Sequence, residues 1–315
     1  MEHQMKTKSP KIIFFAAVLL SVFSLASCAT TGILIKVLEN TDVETISAVH
    51  GAVNSINKAT ENFTPENEYY IGRSVAAAVI SKYPLEKESD PVNEYLNNIC
   101  TTITVNSPLP YLYKGYYVAV LDSNEINAIS TPGGHILISR GLIESCNSED
   151  ELASVIAHEI AHIQLKHSIK VIESSRIAAA SLDTAKAVAL VVYDNTAKST
   201  KNFDKDEFKE KVTVLWDVQS ELVNTLVENG YSQQQEFDAD QYAVELMLSA
   251  GYNPEAMSSM LTNIAKNSTF GGWNKTHPSA ATRNLNVIKQ LKKLKYKGKN
   301  SAERTERFNS IKSEL

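Results

Sequence analysis

The chain has 315 residues, of which 43% are hydrophobic and 21% charged, and its formal net charge is −5. This is the composition of a globular protein with enough apolar residues to form a core. The negative charge argues against binding to nucleic acid, so we expect no nucleic-acid partner.

The first 27 residues are predicted to be a lipoprotein signal peptide. Three lysines precede an apolar run at 12–25, which is too short to span a bilayer comfortably. The run ends in Leu-Ala-Ser-Cys, which resembles a bacterial lipobox, so Cys28 is expected to carry the lipid. An ordinary signal peptide cut beside this motif is the alternative. Because Ala29 rather than Asp follows the cysteine, we expect a periplasm-facing lipoprotein of the cell envelope, sorted to the outer membrane.

The elements that follow predict an α+β fold that is mainly helical. Pro65 and Pro91 each stand at a predicted helix start. Short β-branched and aromatic stretches at 116–123 and 135–140, with turn residues between them, predict a small antiparallel sheet. A capping box at Ser148 then starts a helix that we expect to continue to about Ser174, and further helices follow it.

That helix contains the sequence "SVIAHEIAHIQLKH". His158 and His162 are four residues apart, so both imidazoles lie on one helix face and can reach one metal ion. Glu159 lies beside that face, where a carboxylate can take a proton from a metal-bound water. The alternative is two core histidines and a surface glutamate. The apolar neighbours weaken that alternative, because buried polar groups need partners.

A third ligand is expected from a second helix, "QQQEFDADQYAVE". Glu236 and Asp240 are again four residues apart on one face. Glu236 can complete a zinc site, and Asp240 can accept the outer N–H of a zinc-bound histidine. His167 has the wrong spacing to be a third histidine ligand, so we expect it to cap the helix or lie at the surface.

Four motifs together resemble the zinc metallopeptidase family that includes HtpX, the CAAX prenyl protease and the mitochondrial Oma-type protease. They are "HEIAH", "EFDAD", "NAISTPGGHILISRGLI" and "THPSAATR". The resemblance covers roughly residues 65–287. It implies a zincin fold of the gluzincin type and one zinc ion (Zn2+) per chain, held by His158, His162 and Glu236. It also implies that Glu159 is the general base of an endopeptidase.

The resemblance also assigns roles outside the two helices. In "THPSAATR", His277 and Arg283 are expected near the oxyanion of the tetrahedral intermediate. Alternatively, His277 occupies the open zinc position in a resting state and swings out for substrate. The segment that precedes the active helix is where a zincin places the edge strand that pairs with substrate, although a plain structural hairpin is equally compatible. Its residues are His135, Ile136, Leu137 and Ile138.

The lipobox and the absence of predicted transmembrane helices resemble the periplasmic lipoprotein branch, typified by BepA and LoiP. That branch implies that unfolded or misassembled envelope proteins are the substrates. The predicted organisation is a signal peptide at 1–27, a tether with a helix at 28–64, a metallopeptidase domain at 65–287 and a basic tail at 288–315. The tail shows no helical-hairpin repeat, so we do not expect the repeat domain of BepA.

Several alternatives stay open at this stage. A periplasmic chaperone or assembly factor with a mainly structural zinc site is the second candidate function. A prenyl-protein protease is disfavoured, because that branch has multiple membrane spans. Cys100 and Cys146 can form a disulfide only if the fold brings them together. The long segment from about Arg176 to Ser232 is a candidate lid over the cleft.

Overall fold

Several helices of the structure begin after a residue whose side chain caps the helix. The computed structural model describes residues 62–86, 90–174, 230–266, 276–277, 280–294, 296 and 301–314. All of them belong to the larger of two compact units, Ala59–Ala179 with Asp206–Leu315. The predicted signal peptide, Cys28, the tether before residue 62 and nearly all of the candidate lid lie outside the described residues.

The helices are α1 (Pro65–Lys82), α2 (Asp90–Val105), α3 (Arg140–Ser145), α4 (Glu149–Gln164), α5 (167–174), α6 (Gln233–Ser249), α7 (Glu255–Lys266), α8 (Ala280–Leu294) and α9 (Ala302–Lys312).

Serine side chains cap the two helices that carry the predicted site. Ser148 accepts from the backbone N–H of Glu151 at the start of α4. Ser232 accepts from the backbone N–H of Gln235 at the start of α6, and the Gln235 side chain reaches back to complete a capping box. Each cap satisfies backbone donors that have no partner within the helix, so the starts of both helices are well defined.

The helix that carries the two histidines is shorter than predicted. We expected it to reach about Ser174, but α4 ends at Gln164 and Leu165 is its C-cap. Lys166 then takes a left-handed conformation with φ of 56°, which is unfavourable for a residue with a side chain. The Lys166 ammonium lies 2.6 Å from the Glu68 carboxylate of α1, and this ion pair helps to hold the turn. The chain resumes as α5 at residue 167.

The sheet has three strands, β1 (Tyr117–Leu121), β2 (Ala128–Ser130) and β3 (His135–Ser139). Their order is β1-β3-β2, with β3 parallel to β1 and antiparallel to β2. The predicted antiparallel sheet is therefore wrong, because the sheet is mixed. The three-residue strand β2 is too short to stand out in the sequence. It reverses the chain between the two longer strands, so these run in the same direction.

The prediction that residues 135–138 form an edge strand for substrate is also wrong. Residues His135 to Ile138 belong to β3, which is the central strand and has hydrogen-bonded neighbours on both sides. Side chains cover the outer edge of β1. Asn97 Oδ1 accepts from the Val118 N–H at 2.9 Å, and its Nδ2 donates to the Val118 carbonyl at 2.7 Å. Substrate pairing at β3 is therefore excluded in this fold, and β1 is protected by side-chain hydrogen bonds.

The remaining edge is β2. The carbonyl of Asn127 and the N–H of Thr131 bond to β3, at 3.0 and 2.9 Å. Because alternate residues of a strand point their backbone groups to opposite sides, those of Ala128 and Ser130 point away from β3. Helix α4 also contacts β2.

The core lies between the sheet and the helices that surround α4. All residues of α4 from Glu149 to Ile163 are buried, since α6, α7, α2 and the sheet pack around it. The predicted α+β, mainly helical fold is confirmed. Within the described ranges, no helix combines the length and apolar character needed to cross a bilayer.

The C-terminal residues pack onto the start of α4. Helix α8 continues through residue 287, where we placed the end of the domain, as far as Leu294. In α9, Arg307 donates to both carboxylate oxygens of Glu149, at 2.8 and 2.6 Å, and Arg304 lies 2.8 Å from Asp150. Phe308 of α9 is buried. This part of the predicted basic tail therefore places two arginines against the acidic first turn of α4.

Candidate metal centre

Two histidines of α4 and a glutamate of α6 converge on one point. The Nε2 atoms of His158 and His162 lie 3.0 Å apart. Glu236 places Oε1 3.4 Å from His162 Nε2 and Oε2 3.5 Å from His158 Nε2. All three residues are buried, with exposures of 1% or less. The structure thus brings together the three residues that the sequence singled out as metal ligands.

The spacing of these atoms fits a zinc-sized ion. Ligand atoms about 2.0–2.1 Å from one tetrahedral ion lie about 3.3 Å from each other. The two Nε2 atoms are 3.0 Å apart, and Glu236 offers one oxygen 3.4 Å from His162 Nε2 and the other 3.5 Å from His158 Nε2, so the separations lie on either side of that value. Two imidazoles and a carboxylate also form a donor set that zinc prefers.

Glu159 points into the same site without a hydrogen-bond partner. It is 0% exposed, and neither of its carboxylate oxygens has such a partner in the described part of the chain. His277 Nε2 lies 3.5 Å from Oε1. A buried carboxylate is costly unless something polar binds to it, so this arrangement indicates a site for a polar guest.

His277 joins the cluster to the edge of the sheet. Its Nδ1 lies 3.1 Å from Glu236 Oε1 and 3.4 Å from His158 Nε2. Its Nε2 lies 3.2 Å from the Ala128 carbonyl, on the outer side of β2. His277 and the three converging residues offer ligand atoms within 4.8 Å of one another, and the four can hold a metal ion.

Arg283 and Asp240 surround the cluster on the side of α8. Asp240 Oδ1 lies 3.1 Å from His158 Nδ1, as expected for a residue that orients a ligand histidine. Arg283 Nη1 lies 2.7 Å from Glu236 Oε2, and its Nε and Nη2 donate to Asp240. Because the buried guanidinium is engaged by two carboxylates, the expected role of Arg283 beside the oxyanion is not favoured. Arg283 thus contacts both Glu236 of the cluster and the Asp240 carboxylate beside His158.

The charges in the cluster depend on these contacts. Burial and the Arg283 guanidinium lower the pKa of His158, but bonds to Asp240 and Glu236 outweigh them and raise it to about 9. Burial and the neighbouring His158 hold the pKa of His162 well below its usual value. Burial raises the pKa of Glu236, yet His277 and Arg283 prevail and hold it well below its usual range.

His167 is neither at the surface nor the cap of α4, which is Leu165, so that prediction is wrong. It is 1% exposed, and its Nδ1 lies 2.9 Å from His162 Nδ1. On a continuous helix, residues five apart lie about 140° apart, which was the reason for excluding it. The left-handed turn at Lys166 ends the helix between the two residues, so His167 can lie against His162 despite this spacing. Burial lowers the pKa of His167 to about 4, so the ring is neutral at pH 7.

Tyr231 is a site residue that the sequence pattern missed. Its ring stacks on His162 with centroids 4.0 Å apart and an angle of 17°. Its hydroxyl lies 2.6 Å from the Ser168 hydroxyl. Tyr231 follows Gly230 and precedes the cap of α6, and no periodic pattern marks such a loop position as part of a site.

The match to a family profile follows this geometry. The profile described as "Peptidase family M48" matches residues 91–294, which is more than half of the chain, and the chain belongs to that family. The match confirms the resemblance that the four motifs carried. The family implies a metal, and the cluster of two histidines and a glutamate is able to hold one.

Three individual proteins of similar sequence share only 25% to 27% of the aligned residues with this chain. The chain is 25% identical over 183 residues to a "Putative beta-barrel assembly-enhancing protease" of Vibrio cholerae, covering 56% of this chain and 34% of that protein. It is 27% identical over 206 residues to a "Protease HtpX homolog" of Bacteroides fragilis, covering 62% and 59%. It is 27% identical over 172 residues to the "Mitochondrial metalloendopeptidase OMA1" of Arabidopsis thaliana, covering 53% and 30%. The chain therefore spans about a third of the length of the assembly-enhancing protease it matches.

Proposed function

We propose that this protein is a zinc-dependent endopeptidase. The observation that carries the proposal is the buried Glu159 carboxylate, which lacks a hydrogen-bond partner in the described chain and points into the cluster of His158, His162 and Glu236. A purely structural metal site has no need of such a carboxylate. Membership of a peptidase family supports the same reading.

Each residue of the cluster then has a chemical role. His158, His162 and Glu236 would hold the zinc ion. The chemistry that a bound ion supplies is polarisation of the scissile carbonyl and a lower pKa for a water. Glu159 accepts the proton of the attacking water and returns it to the leaving amine. Asp240 and Arg283 hold the ligands in place, so that little reorganisation is needed during the reaction.

The outer edge of β2 is the surface on which an extended substrate would bind. The backbone groups of Ala128 and Ser130 point away from β3, so a substrate strand would pair with them beside the cluster once the His277 ring leaves the Ala128 carbonyl. In the structure the Ala128 carbonyl lies 3.2 Å from His277 Nε2, while His277 Nδ1 lies among the ligand atoms. This geometry favours the resting-state role of His277 over direct stabilisation of the oxyanion, because substrate has to displace the ring from Ala128.

The substrates we propose are unfolded or misassembled proteins of the cell envelope. Two observations support this choice. The lipobox-like sequence that ends at Cys28 would anchor the protein as a lipoprotein facing the periplasm, at the outer membrane. Several relatives are named beta-barrel assembly-enhancing proteases. The second candidate is a chaperone or assembly factor with a mainly structural zinc site, and the Glu159 carboxylate argues against it, because a structural site has no need of that group.

Replacement of one carboxylate by an amide tests the enzyme proposal. Glu159→Gln keeps the shape of the side chain and removes the base, so cleavage of unfolded casein should fall by about 10²- to 10⁴-fold while zinc content and fold stay unchanged. Glu255→Gln, at an exposed glutamate that starts α7, is the matched control and should cleave as the wild type does. Undiminished cleavage by Glu159→Gln would show that the mechanism is wrong. A wild type that prevents aggregation but never cleaves would favour the chaperone.

A further inference from the structure

The two proposed histidine ligands use their second nitrogens differently. His158 places Nδ1 3.1 Å from the Asp240 carboxylate. His162 places Nδ1 2.9 Å from His167 Nδ1, a nitrogen of another imidazole. A neutral imidazole has one N–H donor and one bare nitrogen acceptor, so this contact is a hydrogen bond only if the two rings carry their protons on different atoms. The proton arrangement at His162 is therefore tied to that at His167.

The direction of that hydrogen bond follows from the cluster. His162 faces the cluster with Nε2, which lies 3.0 Å from His158 Nε2. A ring that gives Nε2 to a metal ion keeps its proton on Nδ1 and can only donate from there. His167 then has to accept through a bare Nδ1 and carry its own proton on Nε2.

The chain around His167 is built to hold the ring in this place. The left-handed turn at Lys166 directs His167 back toward α4, and the ring is 1% exposed. The carbonyl of His167 accepts from Gln235 Nε2 at 3.4 Å, which connects it to the cap of α6 next to Glu236. The adjacent Ser168 holds the hydroxyl of Tyr231, whose ring covers His162.

We propose that His167 is a positioning residue that accepts a hydrogen bond from His162 Nδ1 and thereby holds the His162 ring in the orientation that binds zinc. The role rests on the proposed function, since it concerns the same metal site. It gives His162 the kind of outer partner that Asp240 provides for His158. Outer partners of ligand histidines contribute about 10- to 100-fold to metal affinity.

Two substitutions of His167 distinguish the effect of losing the hydrogen bond from the effect of losing the volume of the ring. His167→Phe keeps a ring and removes the acceptor. His167→Asn is smaller, but its Oδ1 stands close to the former Nδ1 and can accept. Zn2+ affinity of the full chain is measured by competition with a chromogenic chelator, and the melting temperature is measured on the metal-free protein. His135→Phe makes the same exchange at the other described histidine that lies outside the cluster, in β3.

We expect His167→Phe to raise the zinc Kd by about 10- to 100-fold, while His167→Asn and His135→Phe stay close to the wild type. The role is overturned if His167→Phe binds zinc as tightly as the wild type, or if His167→Asn falls as far as His167→Phe. A wild type that binds no zinc would instead overturn the proposed function, and this role with it.

One measurement on the wild type does not depend on any variant folding. Long-range 1H–15N correlation spectra of the zinc-loaded protein report which ring nitrogen of each histidine carries a proton. We expect His167 to be protonated on Nε2 and bare on Nδ1, with His162 protonated on Nδ1. A proton on His167 Nδ1 would overturn the proposal.

Discussion

Arg283 donates two hydrogen bonds to the Asp240 carboxylate, from Nε to Oδ2 at 2.8 Å and from Nη2 to Oδ1 at 2.7 Å. The same guanidinium lies 2.7 Å from Glu236 Oε2. All three residues are buried. One cation therefore compensates two buried carboxylates, one of which is a proposed zinc ligand while the other orients His158.

Replacing this cation should destabilise the protein strongly. Arg283→Met leaves both carboxylates buried without their partner, and removal of one member of a buried ion pair costs about 3–5 kcal/mol. The free energy of unfolding of the metal-free protein, measured by urea denaturation, should fall by that amount. Arg73→Met, at an exposed position on α1, is the control and should change it little. A loss at Arg283 no larger than at Arg73 would contradict the assigned role.

Removing the His277 ring tests the resting-state role. In the resting-state role, His277 fills the open ligand position and contacts the Ala128 carbonyl. His277→Ala should then raise basal cleavage of unfolded casein, because substrate no longer competes with the ring for these positions. The measurement is the initial rate at low substrate concentration, with zinc content checked in parallel. A pure loss of activity at full zinc content would assign His277 to the oxyanion instead.

A methyl group at Gly230 should disturb the segment that carries His277. Gly230 has φ of 66°, and a Cβ there would lie 1.9 Å from the Thr276 carbonyl oxygen. Gly251 has a similar φ of 79°, but a Cβ there would have nothing within 4 Å. Both substitutions to alanine carry the backbone cost of about 1 kcal/mol, and only Gly230→Ala adds a clash with the residue before His277. Gly230→Ala should therefore lower the melting temperature more than Gly251→Ala and reduce zinc affinity, and equal effects would contradict this.

The two described cysteines should resist modification in the folded protein. Cys100 and Cys146 are buried free thiols, so the structure contains no disulfide between them. Burial raises the pKa of the Cys100 thiol to about 12 and raises that of Cys146 as well. Only the thiolate reacts, and at pH 9 a thiol of pKa 12 is ionised in about one molecule in 1,000.

Raising the pH from 7 to 9 should consequently leave both cysteines unmodified by iodoacetamide until the protein is unfolded. Peptide mass spectrometry measures the modified fraction at each position, with urea-unfolded protein as the positive control. Rapid modification of either cysteine in the folded state would show that the site is open to solvent. Recovery of a Cys100–Cys146 linked peptide would contradict the free thiols of the structure.

Local helix geometry explains which parts of the site the sequence could predict. His158 with His162 and Glu236 with Asp240 are four residues apart, and that spacing places each pair on one helix face wherever the helix packs. The type of the elements could be predicted for the same reason, since it depends on periodicity within a short stretch. The strand order could not, because β2 has three residues and the pairing of β1 with β3 depends on contacts between distant parts of the chain.

What the sequence by itself determined is the chemistry that is available: two imidazoles, two carboxylates and a base in two helices. The tertiary structure decided how those groups are supported. The turn at Lys166 places His167 against His162, and the packing of α8 places Arg283 against Glu236 and Asp240. Helical spacing is a property of neighbouring residues, whereas the partner of a buried polar group is chosen by contacts that form only when distant segments pack together.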